Sequence, residues 1–194
     1  MILPLFSKSI SSLSDEELMS RISRNSDEKA FDELYHRHAR RVMGFLFRQM
    51  NGNESLAADM LQDAFMKIWY ARESFSGNSF RTWIYSIAYN LCKNHYRHVS
   101  YEKDYKAEIH ASSEEVHEEE MTMLMDRTAF DEALQKEVSG MRPPDRMLFS
   151  LRYEEELTIP QIASVLDIPE GTVKSRLYSI TNSLKRKFQH YGRL

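Results

Sequence analysis

Phe80, Trp83, Ile84, Ile87, Ala88 and Leu91 fall at i, i+3, i+4, i+7, i+8 and i+11. An α-helix turns once in about 3.6 residues, so this set lines one helical face; a strand alternates its side chains every two residues and cannot gather it. Leu61, Phe65, Ile68 and Trp69 repeat the pattern upstream, and Met125, Ala129, Ala133, Leu134 and Val138 supply apolar positions downstream. Strand-like alternation and internal repeats are both missing from the sequence. With only 6 Gly and 5 Pro among 194 residues, tight turns are scarce, which suits helices better than a many-stranded sheet. The expected fold class is all-α.

Helix boundaries follow from local chemistry. Ser14-Asp15-Glu16-Glu17 has the spacing of a capping box and opens a short helix carrying Leu18, Met19 and Ile22. Ser26 is expected to cap a longer helix through about Met50, and Asn51-Gly52-Asn53 forms a turn because both residue types accept positive φ. Further helices are expected over about 54–71 and about 80–98. From Ser100 to Glu120 the chain turns polar with no sustained apolar period, as an inter-domain linker would. A helix then runs from about Met121 until Gly140 and Pro143-Pro144 end it, another spans about Asp145 to Tyr153, and two more flank a turn at Asp167–Gly171.

That last pair is the most specific signal. Thr158-Ile159-Pro160-Gln161 combines a Thr cap, Pro in the first turn and Gln at the position that reaches back to the cap. Ile162, Ala163 and Leu166 face inward, as do Ile168, Val173, Leu177 and Ile180, which is the packing pattern of a helix-turn-helix. The start of its second helix is the part that enters a DNA major groove. Thr172, Lys174, Ser175, Arg176 and Tyr178 are outward there, and Arg can fork onto guanine while Lys and Ser serve bases or phosphates. The alternative is a helical hairpin with a solvated basic face; the motif and its charge together favour DNA.

A second surface lies on the helix over 80–98. Opposite its apolar stripe are Tyr85, Tyr89, Lys93, Tyr96 and Arg97, with Asn90 and Asn94 between them. Rings that stack on bases and cations that follow phosphates suit single-stranded nucleic acid. Tyrosines that cover a small core with wet hydroxyls would give the same pattern.

Charge supports a polyanionic partner by its distribution rather than its sum. Net charge is -3, yet Val173 to Leu194 holds Lys174, Arg176, Lys185, Arg186, Lys187 and Arg193 with no acid. Glu114, Glu115, Glu118, Glu119 and Glu120 reverse the sign in the linker. Hydrophobic residues at 42% and charged residues at 28% describe a soluble globular chain. The single Cys92 excludes an internal disulfide and points to a reducing, cytoplasmic setting. The first ten residues are too weakly apolar for a secretory leader, and no run approaches the ~18 apolar residues that span a bilayer, so no membrane insertion is expected.

Other chemistry finds little support. Cys92, His95 and His98 sit at i, i+3 and i+6, where the third residue has rotated off the face, so no metal is expected. His36 and His38 point to different sides of their helix. Glu154-Glu155-Glu156 reads as solvated charge. Phosphate loops, dinucleotide fingerprints and nucleophile elbows are absent from the sequence; an enzyme or a cofactor is not expected.

These motifs together resemble the extracytoplasmic-function sigma factors, the smallest members of the main bacterial sigma family. Ala58-Asp59-Met60-Leu61-Gln62-Asp63-Ala64-Phe65 through Ile68-Trp69 is similar to the family's region two, Phe80 through Arg97 to its promoter-reading part, and Pro169-Glu170-Gly171-Thr172-Val173-Lys174-Ser175-Arg176-Leu177 to the recognition helix of region four. The resemblance implies an N-terminal extension over 1–24, a region-two domain over 25–100, an acidic linker over 101–125 and a region-four domain over 126–194. It implies that Asp59, Gln62, Asp63 and Met66 dock on the clamp of the largest subunit of core RNA polymerase, with the flap of the second largest subunit as a further partner. The loop Ser74–Ser79, with Ser76 and Asn78, and Asn90 would hold a flipped base of the minus-ten element, with Tyr89, Lys93, Asn94 and Arg97 along its path. Thr172, Lys174, Ser175, Arg176 and Tyr178 would meet the minus-thirty-five element, and an anti-sigma protein would cover these surfaces. Asp167 stands where Gly is frequent, which Asp tolerates because it enters the left-handed region at low cost. Ser179 and Ile180 replace a frequent Arg-Ala pair. The resemblance implies no role for the stretch before Asp27. Two other classes would explain part of the pattern: a helix-turn-helix regulator that works without polymerase, and an interaction module lacking promoter function.

Overall fold

The computed structural model describes residues 9–76, 79–107 and 127–189. They form eight α-helices and no strand: α1 (Asp15–Asn25), α2 (Glu28–Gln49), α3 (Glu54–Tyr70), α4 (Phe80–Ala107), α5 (Arg127–Ser139), α6 (Pro143–Phe149), α7 (Ile159–Leu166) and α8 (Glu170–Phe188). The all-α expectation stands. Asn78, the acidic stretch from Glu114 to Glu120, Met121, Met125 and Arg193 lie outside the described residues.

α1 to α4 pack into the first helical domain. Leu18, Met19 and Ile22 of α1 are fully buried beside Leu34, Val42, Phe45 and Leu46 of α2, Ile68 of α3 and Phe80 and Ile84 of α4. The N-terminal extension is therefore not an appendage, since its helix supplies part of the core. Its capping box forms as the spacing predicts, with Glu17 N donating to Ser14 Oγ at 3.1 Å and Ser14 N to Glu17 Oε2 at 2.8 Å. Asp15 then ties α1 to α2: it accepts from Arg37 Nη1 at 3.0 Å and meets His38 Nε2 at 2.6 Å. Arg37 also donates to the carbonyls of Leu13 and Ser11. Glu16 crosses to the N-terminus of α4, where it accepts from Phe80 N at 3.1 Å.

Three boundaries differ from the sequence reading. Ser26 ends α1 in the left-handed region at φ 50°, and Asp27 caps α2, accepting from Ala30 N at 3.2 Å. Adjacent Ser and Asp are both competent caps, and only packing chooses between them. α4, expected to end near His98, runs on to Ala107; a polar helix end gives no apolar period to read. The helix expected over Asp145–Tyr153 starts earlier, at Pro143, and passes at Ser150 into a π-helical turn ending at Glu154.

The second domain consists of α5 to α8. Thr158 and Gln161 form the expected capping box, and Asp167 takes the left-handed turn conformation at φ 53°. Ile162, Leu166, Val173, Leu177 and Ile180 are buried where α7 and α8 cross, while Ala163 and Ile168 are partly buried. This is the helix-turn-helix read from the sequence. The two domains also meet, with α7 lying against α4 and α6 against α2.

Candidate nucleic-acid interface

On α8 the residues expected to meet duplex DNA are mostly in solvent. Thr172, Lys174, Ser175 and Tyr178 are exposed, and Lys174 makes only a loose 3.8 Å contact with Glu170. Arg176 differs. It is half-buried, and its Nη2 donates to Asp145 Oδ1 on α6 at 2.8 Å. Beyond Tyr178, a shallow furrow of about 610 Å³ continues along Ser179, Asn182, Lys185, Arg186 and Gln189. The basic run near the C-terminus thus extends the face that begins at Thr172.

On α4, Asn90, Lys93, Asn94 and Arg97 are exposed and Tyr89 is half-buried. Lys93 Nζ stands 5.9 Å from the centre of the Tyr89 ring, within cation–π range. Burial raises the Tyr89 hydroxyl pKa, and the Arg176 charge opposes that rise. Arg176 of α8 is therefore close enough to Tyr89 of α4 for its charge to be felt. Ser76 is exposed in the loop that precedes α4, and Phe75 packs obliquely on Trp83 at 5.2 Å between ring centres. Sequence reasoning passed over a shallow apolar cleft beside this loop, about 530 Å³, lined by Lys67, Tyr70, Ala71, Trp83 and Ile87. Tyr70 is 74% exposed there. Its position next to the expected stripe of α3 could have flagged it.

Tyr85 does not belong to this surface, contrary to the sequence reading. It is buried, stacks edge-on against Phe45 at 5.5 Å, and donates its hydroxyl to the Glu155 carboxylate. Burial first, then the adjoining Glu155 charge, pushes its pKa well above the ordinary tyrosine value. Tyr96 is likewise half-buried, donating to the Gln49 carbonyl and accepting from Arg146. The tyrosine face of α4 looks towards the second domain, so part of it fills a contact rather than awaiting a base. Arg97 and Lys93, one step around the helix, escape that contact.

Glu154-Glu155-Glu156 is not merely solvated charge either. Glu155 is only 3% exposed. Arg48 Nη2 donates to its Oε1 at 2.8 Å, Arg41 Nε lies 3.6 Å from Oε2, and Arg81 donates to its main-chain carbonyl. Arg48 Nε faces Glu154 at 2.6 Å out of hydrogen-bond alignment, as an ion pair without a directed bond.

Asp59, Gln62, Asp63 and Met66 are exposed along one side of α3. His95 and His98 lie on α4 beside buried Cys92, and no cluster suited to a metal occurs among the described residues. No described helix is long and apolar enough to cross a membrane.

Comparison with known proteins agrees with this architecture. Residues 34–100 match Sigma-70 region 2 and residues 131–179 match Sigma-70, region 4. The chain is 30% identical over 190 residues to the ECF RNA polymerase sigma-E factor of Haemophilus influenzae, covering 91% of this chain and 96% of that one. It is 31% identical over 186 residues to the RNA polymerase sigma-H factor of Pseudomonas aeruginosa, covering 90% and 94%. Among solved structures, CnrH in complex with the cytosolic domain of CnrY shares the fold at TM-score 0.65 and 20% identity, over 91% of this chain and 97% of that one. The sigma factor RpoE of Bartonella quintana, in complex with the anti-sigma factor NepR, does so at TM-score 0.63 and 20% identity, over 83% and 98%. Both sigma regions are matched in order, each on the helices that carry its motifs, and relatives align along nearly their whole length; the chain belongs to the sigma-70 family of RNA polymerase sigma factors, as one of its extracytoplasmic-function members, and is not an enzyme.

Proposed function

We propose that this sigma factor mounts on core RNA polymerase in the cytoplasm and reads two separated promoter elements, one with each domain. The observation that carries the reading is the outward turn of α8, with Thr172, Lys174, Ser175 and Tyr178 exposed on a correctly capped helix-turn-helix. A helix N-terminus attracts phosphate, and side chains at this point of the motif reach base edges in the major groove. In this proposal Arg176 joins that set once Asp145 releases it, and the set reads the minus-thirty-five element.

Asn90, Lys93, Asn94 and Arg97, with Tyr89 and the loop residues Ser76 and Asn78, would read the unpaired minus-ten strand. Stacking on a ring repays part of the cost of unstacking a flipped base. Asp59, Gln62, Asp63 and Met66 would dock on the clamp of the largest polymerase subunit, and the second domain on the flap of the second largest. Each half alone offers few phosphate contacts, so binding by the free chain is weak. Mounting both halves on one polymerase raises effective concentration without any new contact. Structural neighbours bound to CnrY and to NepR support an anti-sigma protein as a further partner.

Run-off transcription with core polymerase tests the proposal. Initiation from a cognate promoter should depend on adding the chain. Footprints on DNA without polymerase would favour a free-standing regulator instead, and neither result would leave only an interaction module.

A further inference from the structure

α1 lies ahead of residues 34–100, which match region two, yet its two polar ends reach both sides of the loop that leads into α4. At one end Glu16 Oε1 accepts from Phe80 N at 3.1 Å. That amide is one of the unpaired donors at the start of a helix, and a carboxylate there also meets the positive end of the helix dipole. Ser79 completes the start of α4 by accepting from Thr82 N at 3.3 Å. His38, bound to Asp15 of α1, lies edge-on to the Phe80 ring at 5.0 Å. At the other end Ser26, in the left-handed conformation that stops α1, accepts through Oγ from Arg72 Nη2 at 3.3 Å. Arg72 opens the single turn Arg72–Ser74 before the loop, lies over the Trp69 ring and donates to the Trp69 carbonyl at 2.8 Å.

We infer that α1 braces base recognition, with Glu16 and Ser26 as positioning residues that fix the two ends of the loop. The inference rests on the minus-ten reading proposed above. At about 1.5 Å per residue, the two contacts stand about 15 Å apart on a rigid helix. The chain from Ser74 to Phe80 could otherwise extend to roughly 20 Å, and each extra arrangement would have to be given up when a base enters. A pocket formed only part of the time binds with an affinity reduced by that fraction.

Positioning can be separated from folding here. Glu16 and Ser26 are exposed, whereas α1 contributes to the core through Leu18, Met19 and Ile22. Contacts to phosphates carry no sequence information, and those made by α4 do not depend on where the loop stands. Loosening the brace should therefore erode the choice of base more than the binding of DNA.

Binding of the full-length chain, mounted on core polymerase, to a forked promoter fragment with an unpaired minus-ten strand tests the brace. The measured quantity is the affinity ratio between the cognate strand and strands changed at one minus-ten base, beside the affinity for an unrelated strand. Glu16→Ala should lower that ratio about fivefold, and Glu16→Gln, whose amide oxygen can still accept from Phe80 N, should restore most of it. Ser26→Gly removes the hydroxyl at a backbone conformation that suits glycine, so it should lower the ratio without loss of stability in thermal unfolding. Affinity for the unrelated strand should stay within about twofold in every variant. Parental ratios in both Glu16→Ala and Ser26→Gly, or equal losses for cognate and unrelated strands, would overturn the brace. Amide hydrogen exchange in the full-length chain judges it a second way: Glu16→Ala should speed exchange at Phe80 and Glu16→Gln should not, and unchanged exchange in Glu16→Ala counts against the brace. If circular dichroism shows that Glu16→Ala fails to fold, Ser26→Gly decides. If the parent prefers no base, the minus-ten reading fails while exchange at Phe80 still judges the brace.

Discussion

Arg176, on the outward turn of the recognition helix, is held by Asp145 of α6 at 2.8 Å rather than standing free. Arg142 takes the other carboxylate oxygen at 2.9 Å. A residue expected to read bases therefore already has a partner within its own domain. Partial burial works to raise the Asp145 pKa, but the hydrogen bonds and charges of Arg176 and Arg142 outweigh it and hold the carboxyl below its usual range.

Replacing Arg176 by Ala should weaken promoter use and also cost a little stability. The pair is partly solvated, with side chains 34% and 18% exposed, so screening limits the loss to about 0.5–1 kcal/mol. Asp145→Asn should show the stability loss with a smaller effect on promoter use. Denaturant titration alongside transcription from a cognate promoter separates the two effects; equal losses of promoter use in both variants would mean that Arg176 acts only through the pair.

Asp15 fastens α1 to α2 through Arg37 and His38. Burial opposes the shift, but bonds to His38 and Arg37 leave its pKa lowered. A depressed acid stabilises the fold above its unfolded pKa, near 3.8, and that stability is lost as pH falls through the lower native value. Asp15→Asn should cost about 1–2 kcal/mol at neutral pH, and the gap between parent and variant should close below about pH 4. Urea unfolding at neutral and acid pH measures both.

Leu18 is fully buried between α1 and the rest of the first domain. Leu18→Ala should cost about 2–4 kcal/mol, and Leu18→Met less than about 1.5 kcal/mol. A mutation in a dispensable extension would cost far less, so thermal unfolding of the two variants decides whether α1 is integral.

Cys92 is fully buried on α4, and that burial pushes its pKa up to about 12. The thiolate is the reactive form, so native protein at pH 8 should react with a thiol reagent far more slowly than unfolded protein. Absorbance of the released chromophore, with and without denaturant, follows this directly.

Much of the architecture could be read from the sequence because it depends on local chemistry. The capping boxes at Ser14 and Thr158 and the inward set Ile162, Val173 and Leu177 formed as their spacing predicts, and Asp167 takes the left-handed conformation that the resemblance implied for its turn position. The exposure of Lys174, Lys93 and Arg97 was equally legible, since a charge opposite an apolar stripe usually meets water. Tyr85 was misplaced because a ring on the far side of a helix looks the same whether it faces solvent or another domain.

What the sequence by itself determined is the helical class, the helix-turn-helix and the division of apolar from polar faces, all set by contacts within a few residues. Only the tertiary structure decided where Glu155, Arg146, Gln49 and Tyr96 go. Arg48 and Glu155 are 107 positions apart, and no local period connects them. Burial of an ion is tolerated only when its partners converge in space, and that convergence exists only where the two domains meet.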